Sequence, residues 1–368
     1  MEYTFVSGDD HMDLSYLPAN LWQERVAARF KAQAPRVADT ASGPMWMCEG
    51  KPWAFGNHGS MQGPRLTGAI PRAGVNEEPE PGVFRPSTPK YRLEDMDRDG
   101  IDAHVIYGPP LPLSFTDSAL HVACLEAYNS WLADFCAAAP DRLIGIPILP
   151  MHDPAATQKE LQRVAKLGLK GALFGVFDAV KPVFHEDWEP VWAVAAEAEI
   201  PISFHLGGGI RSARVTDTSR GQAAAFVCAV PMQLDEALCE IIFCGALEKY
   251  PQLRIVLAEA GIGWVPYLLW RMDHEYDKQL HHMVHLSLKP SELFRRQIWV
   301  SFEEDDIGLK LLSELGEDKV LWASDYPHPD STWPHSRKYI DEHMASLSPQ
   351  VRKKLTCDNT VRLYNLDS

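Results

Sequence analysis

Residues 187–207, DWEPVWAVAAEAEIPISFHLG, decide the fold. Trp188, Val191, Trp192 and Ala195 recur at i, i+3, i+4 and i+7, which lays one apolar stripe along a helix. Pro201–His205 is a short apolar run ahead of glycine, which reads as a strand. A helix that feeds a strand after so few residues is half of a βαβ unit.

The alternation extends in both directions. Leu234, Leu238, Ile241 and Ile242 form another helical stripe ahead of the run Arg254–Ala258. Thr4–Ser7, Ala103–Tyr107, Leu143–Leu149, Gly171–Gly175, Ile298–Ser301 and Val320–Ala323 are further strand candidates, and eight strands close a parallel barrel. The expected fold class is therefore α/β, a (β/α)8 TIM barrel. Such a barrel takes about 250 residues, whereas the chain has 368. The excess is assigned to a long insertion after strand one and to extra C-terminal helices, with residues 1–368 forming a single domain. Residues 34–89, rich in Pro and Gly and carrying Trp46, Trp53 and Phe55, are read as an irregular active-site lid.

Composition narrows the class of partner. Lys and Arg number 35 against 50 Asp and Glu, a formal charge of −15, which argues against nucleic acid and anionic membranes. No basic leader precedes an apolar run and no apolar stretch reaches membrane-spanning length, so a cytoplasmic protein is expected. The seven cysteines are scattered without a C-x-x-C pair and read as reduced thiols.

In a barrel of this kind, reactive groups gather at the C-terminal ends of the strands. Strand one ends in Asp9-Asp10-His11-Met12-Asp13, strand five in His205 before three glycines, strand six in Glu259, and strand eight in Ser324-Asp325-Tyr326-Pro327-His328. Neutral imidazole with carboxylate suits a divalent metal such as Zn, Mn or Fe. Asp9 and His11, two residues apart, share one face of their strand while Asp10 points away. Trp46, Trp53 and Trp333 are expected to wall a pocket for a small molecule with an apolar body. Asp273-His274 is expected to approach that pocket. His281, His282 and His285 read as a solvated helical face, and Arg211, Arg214 and Arg220 as surface charge.

These motifs together resemble the amidohydrolase superfamily, in the branch around aminocarboxymuconate semialdehyde decarboxylase. The resemblance runs from Asp9-x-His11 through Arg92-Leu93-x-Asp95-Met96-Asp97-x-x-Gly100-Ile101-Asp102, His205 and Ser324-Asp325-Tyr326-Pro327-His328 to Asn359-Thr360-Val361-Arg362-Leu363-Tyr364. It implies Asp9, His11, His205 and Asp325 as metal ligands, with Asp325 also taking a proton from bound water. Where many relatives carry histidine at the end of strand six, this chain has Glu259, which either transfers a proton or adds a ligand that could help hold a second ion. His328 is placed to contact substrate.

The expected activity is metal-dependent hydrolysis or non-oxidative decarboxylation of a small organic acid or acyl compound, in a chain that could form a homodimer. The alternative is a non-haem iron oxygenase on the same barrel, with one iron or two and Glu259 as an additional ligand.

Overall fold

The computed structural model describes residues 1–41, 43–57, 78–109, 115–207, 220–328 and 330–366. Its strands in chain order are β1 (Val6–His11), β2 (Arg36–Thr40), β3 (Gly43–Cys48), β4 (Lys51–Asn57), β5 (Ala103–Tyr107), β6 (Leu143–Ile146), β7 (Ala172–Leu173), β8 (Ile202–His205), β9 (Ile255–Ala258), β10 (Ile298–Phe302) and β11 (Val320–Trp322). All eight strand candidates are present. Those pairings are parallel and fall into two sheets, β1-β5-β6 and β11-β10-β9-β8-β7.

The ladders do not run round a closed ring, but hydrogen bonds cross both gaps between the sheets. Leu173 N–H donates to Pro147 O at 2.8 Å on one side; on the other, Asp325 N–H donates to Asp9 O at 3.0 Å and His11 N–H to Tyr326 O at 2.6 Å. The expected barrel is thus seen as its eight strands in two parallel sheets.

Period-two alternation explains the packing. Ile202, Phe204, Ile255, Leu257, Ile298, Val300 and Trp322 pack with the outer helices, among them Glu189–Glu197 and Asp235–Phe243. The intervening Val105, Tyr107, Ile144, Ile146, Leu173, Val256, Trp299 and Leu321, drawn from both sheets, meet in a separate interior cluster. Strands buried on both faces read as continuous apolar runs, which is why they were visible in the sequence. Each such large side chain contributes about 1.5–3 kcal/mol of burial. Trp188, Val191, Trp192 and Ala195 are all buried, as their spacing requires.

Two expectations need correction. Strand one runs on to His11, beyond Ser7, so Asp9 and His11 lie within the strand. The stretch expected to be irregular instead carries an antiparallel sheet, β2-β3-β4. Its second hairpin turns at Glu49 and Gly50, with φ of 52° and 79°, a two-residue loop of the kind whose twist matches paired strands. Residues 42 and 58–77 of the expected lid lie outside the described residues. No described helix is long and apolar enough to cross a membrane, and none of the seven cysteines is in a disulfide.

Candidate metal centre

Strand ends β1, β8, β9 and β11 bring five donor atoms together. His11 Nε2 lies 3.1 Å from Asp325 Oδ1, 3.5 Å from Glu259 Oε2 and 3.6 Å from Asp9 Oδ1. His205 Nε2 lies 3.3 Å from Glu259 Oε2 and 3.6 Å from Asp9 Oδ1. All five atoms are buried; Asp325 Oδ1 faces the His328 ring, and the other four have no hydrogen-bond partner among the described residues. Buried polar atoms are almost always paired, so convergent orphans of this kind call for a cation. The spacing agrees: donors about 2.1 Å from one ion sit roughly 3.0–3.5 Å from one another.

The donors also form two overlapping groups that share His11, one with Asp9 and His205, the other with Glu259, Asp325 and His328. Local backbone aims two of them. Glu259 and Asp325 have φ of 51° and 58°, a left-handed conformation that non-glycine residues adopt chiefly where surrounding structure enforces it. Ser301 supplies part of that enforcement. Its Oγ accepts from Glu259 N–H at 2.8 Å and donates to Asp9 Oδ2 at 3.0 Å, tying two donors to β10.

The electrostatics show the same demand for positive charge. Burial raises the carboxyls of Asp325, to about 7, and of Glu259, which the charge of Asp325 raises further. Burial opposes charging of His205, but Asp9 and Glu259 outweigh it and hold the imidazole up to about 9. Burial also opposes charging of His328, yet Asp325 and Asp13 raise it well above the usual imidazole range. His328 Nδ1 lies 2.8 Å from Asp325 Oδ1, and its Nε2 lies 3.2 Å from Asp13 Oδ1. The ring therefore bridges two carboxylates while stacking on His11 at 3.9 Å.

Asp9, His11, His205, Glu259, Asp325 and His328 are thus brought together, and Asp10 points to the opposite face. Other expectations fail. Asp273 caps Ser291 and His274 stacks on exposed Trp270, so neither approaches the centre. Trp46 and Trp333 are buried and donate to the carbonyls of Leu14 and Asp95, so they anchor packing instead of walling a pocket. Arg211, Arg214 and the side chain of Arg220 lie outside the described residues.

Sequence reading missed Asp13, Ser301 and Glu303. Glu303 follows β10, has a buried Oε1 without a hydrogen-bond partner, and is raised well above the usual range by burial and by Asp325, Glu259 and Asp9. The signal was present: β10 ends in Ser301-Phe302 and Glu303 follows at once, the same strand-to-acid transition that marked the other ends.

Comparison with known proteins gives the family. Residues 48–366 match the amidohydrolase family. A gamma-resorcylate decarboxylase from Rhizobium sp. (strain MTP-10005) is 25% identical over 299 residues, covering 75% of this chain and 86% of that protein. A 2-amino-3-carboxymuconate-6-semialdehyde decarboxylase from Dictyostelium discoideum is 25% identical over 284 residues, covering 76% and 77%. Among solved structures, an amidohydrolase from Mycobacterium avium subsp. paratuberculosis K-10 superposes with a TM-score of 0.75 at 21% identity, covering 99% of this chain and 100% of that one. A dihydroxybenzoic acid decarboxylase from Polaromonas sp. JS666, solved with manganese and the inhibitor 2-nitroresorcinol, gives 0.62 at 22% identity, covering 75% and 86%.

Proposed function

Since the chain belongs to the amidohydrolase family, we propose that it is a metal-dependent decarboxylase that releases CO2 from a small aromatic or similarly unsaturated acid and leaves a proton in its place. The observation that carries this reading is the convergence of five buried donor atoms from Asp9, His11, His205, Glu259 and Asp325, of which all but that of Asp325, which faces His328, are unpartnered among the described residues. The scaffold in this reading is a (β/α)8 barrel joined across both sheet gaps, with the segment around β2-β3-β4 as its lid.

A divalent ion held by these residues would supply a Lewis acid toward an oxygen of the substrate. Glu259 is assigned to holding the ion, because its Oε2 lies within 3.5 Å of both imidazole Nε2 atoms. Ser301 fixes the orientation of Asp9 and Glu259. His328 keeps a proton between its Nδ1 and Asp325 Oδ1, with Asp13 stabilising the imidazolium from the far side. When the carbon–carboxylate bond breaks, its electron pair stays on the substrate carbon. The proton stored at His328 completes that carbon as CO2 leaves.

The test is elemental analysis combined with CO2 release from a panel of hydroxybenzoates that includes 2,6-dihydroxybenzoate. About one manganese or zinc per chain and CO2 release that stops on chelation are expected. Turnover that survives complete metal removal, hydrolysis of acyl compounds without CO2, or two irons per chain with oxygen consumption would overturn the reading.

A further inference from the structure

The opposite face of β1 holds a second buried polar group that none of these roles uses. Asp10 is fully buried. Its Oδ1 accepts from Ser324 Oγ at 2.5 Å and from Tyr326 N–H at 3.2 Å. Those two residues flank Asp325, whose own N–H donates to Asp9 O at 3.0 Å.

Behind Asp10 lies Arg92, also fully buried. Its Nη1 donates to His11 O at 2.8 Å and its Nη2 to His104 Nδ1 at 3.2 Å, and the guanidinium sits 5.0 Å over the ring of Tyr326. A guanidinium only donates, so His104 Nδ1 offers its lone pair and that ring is neutral. The second Asp10 oxygen lies 3.7 Å from the same His104 nitrogen.

We propose that Asp10 is a positioning residue for Asp325. By gripping the residues on either side, it holds Asp325 in its left-handed conformation and aims Oδ1 at His11 Nε2, while Arg92 pins the adjoining end of β1 through the His11 carbonyl. The inference rests on the reading of Asp325 as a metal ligand. Asp10 touches no donor atom itself, so its contribution is to the affinity of the centre. Partners that orient ligands in this way change metal affinity by about 10–100-fold when removed. The role depends on accepting two hydrogen bonds, and an amide oxygen can do that as well as a carboxylate.

The test is equilibrium dialysis of full-length, chelator-stripped protein against Mn2+ alone, with Zn2+ in a parallel series. Asp10→Ala should bind at least about tenfold more weakly with unchanged circular dichroism, Asp10→Asn should stay within about threefold of wild type, and Ser324→Ala should fall between them. Equal affinity for Asp10→Ala and wild type, or equal weakness of Asp10→Asn and Asp10→Ala, overturns the proposal. If Asp10→Ala does not fold, Ser324→Ala decides, and an unchanged affinity there overturns it. A wild-type chain that binds neither ion would overturn the proposed function itself.

Discussion

The strand ends and the turn Leu280–His282 both gather histidines, but of the two the strand ends alone bring together a donor set that could hold a metal ion. At the strand ends, His11 and His205 are buried, their Nε2 atoms meet three carboxylates, and neither Nε2 has a hydrogen-bond partner among the described residues. Around the turn Leu280–His282, His281 and His282 lie with ring centroids 3.9 Å apart, and His281 Nδ1 is already 2.9 Å from Tyr276 O. Both are exposed, as is His285. Water can serve those rings, whereas burial leaves the strand-end rings to a ligand. Exclusion of solvent and acidic company make the difference, more than the number of imidazoles.

The sharpest way to break that contrast is to delete one ring from each region. His205→Ala should abolish stoichiometric metal binding, a loss larger than the roughly 10–100-fold seen when an orienting partner is removed, whereas His281→Ala should bind metal like wild type. Metal content by elemental analysis checks both, and loss of metal from His281→Ala would erase the distinction.

Next in size is Glu259→Gln. As a ligand, Glu259 should lose metal affinity together with turnover when neutralised. Retained affinity with lost turnover would return it to proton transfer, so dialysis and CO2 release should be measured on the same preparation. Ser301→Ala removes a hydroxyl shared by two donors without removing either. A drop of about 10–100-fold in manganese affinity is expected, and full affinity would show that the left-handed turn at Glu259 holds without it.

The smallest effect is on the pH dependence of stability. Asp325 is raised to about 7, above an ordinary carboxyl near 3.9. Without a cation, the folded chain therefore binds a proton there more readily than the unfolded chain. That stabilisation is complete below about pH 4 and is lost as pH rises through about 7. A cation compensates the same charge, so the rise in Tm on adding Mn2+ should grow between pH 5.5 and 8.5. A rise that shrinks over this range would contradict the burial of Asp325 at the centre.

Much of this was legible in the sequence, for reasons that can be named. The doubly buried strands announce themselves as apolar runs such as Ile255–Ala258, and the outer helices by stripes such as Trp188, Val191, Trp192 and Ala195. Strand one was cut short because Ser7-Gly8-Asp9-Asp10-His11 is polar, and its pairing depends on neighbours remote in sequence. The antiparallel sheet was missed because its strands lie within a stretch rich in Pro and Gly. Its local cue was the hairpin turn Glu49-Gly50. Glu303 escaped because the reading of its strand stopped at Ser301.

The sequence by itself determined which residue types end which strands, and hence an amidohydrolase-like set of imidazoles and carboxylates. Only the tertiary structure decided which of them share one solvent-free space. It turned Glu259 toward both imidazoles through a positive φ, paired His328 with Asp13 and Asp325, and spent Trp46 and Trp333 on packing. The physical reason is that spacing along a strand specifies a face, whereas convergence of groups hundreds of residues apart depends on how the strands are wrapped and on backbone conformations that local sequence does not encode.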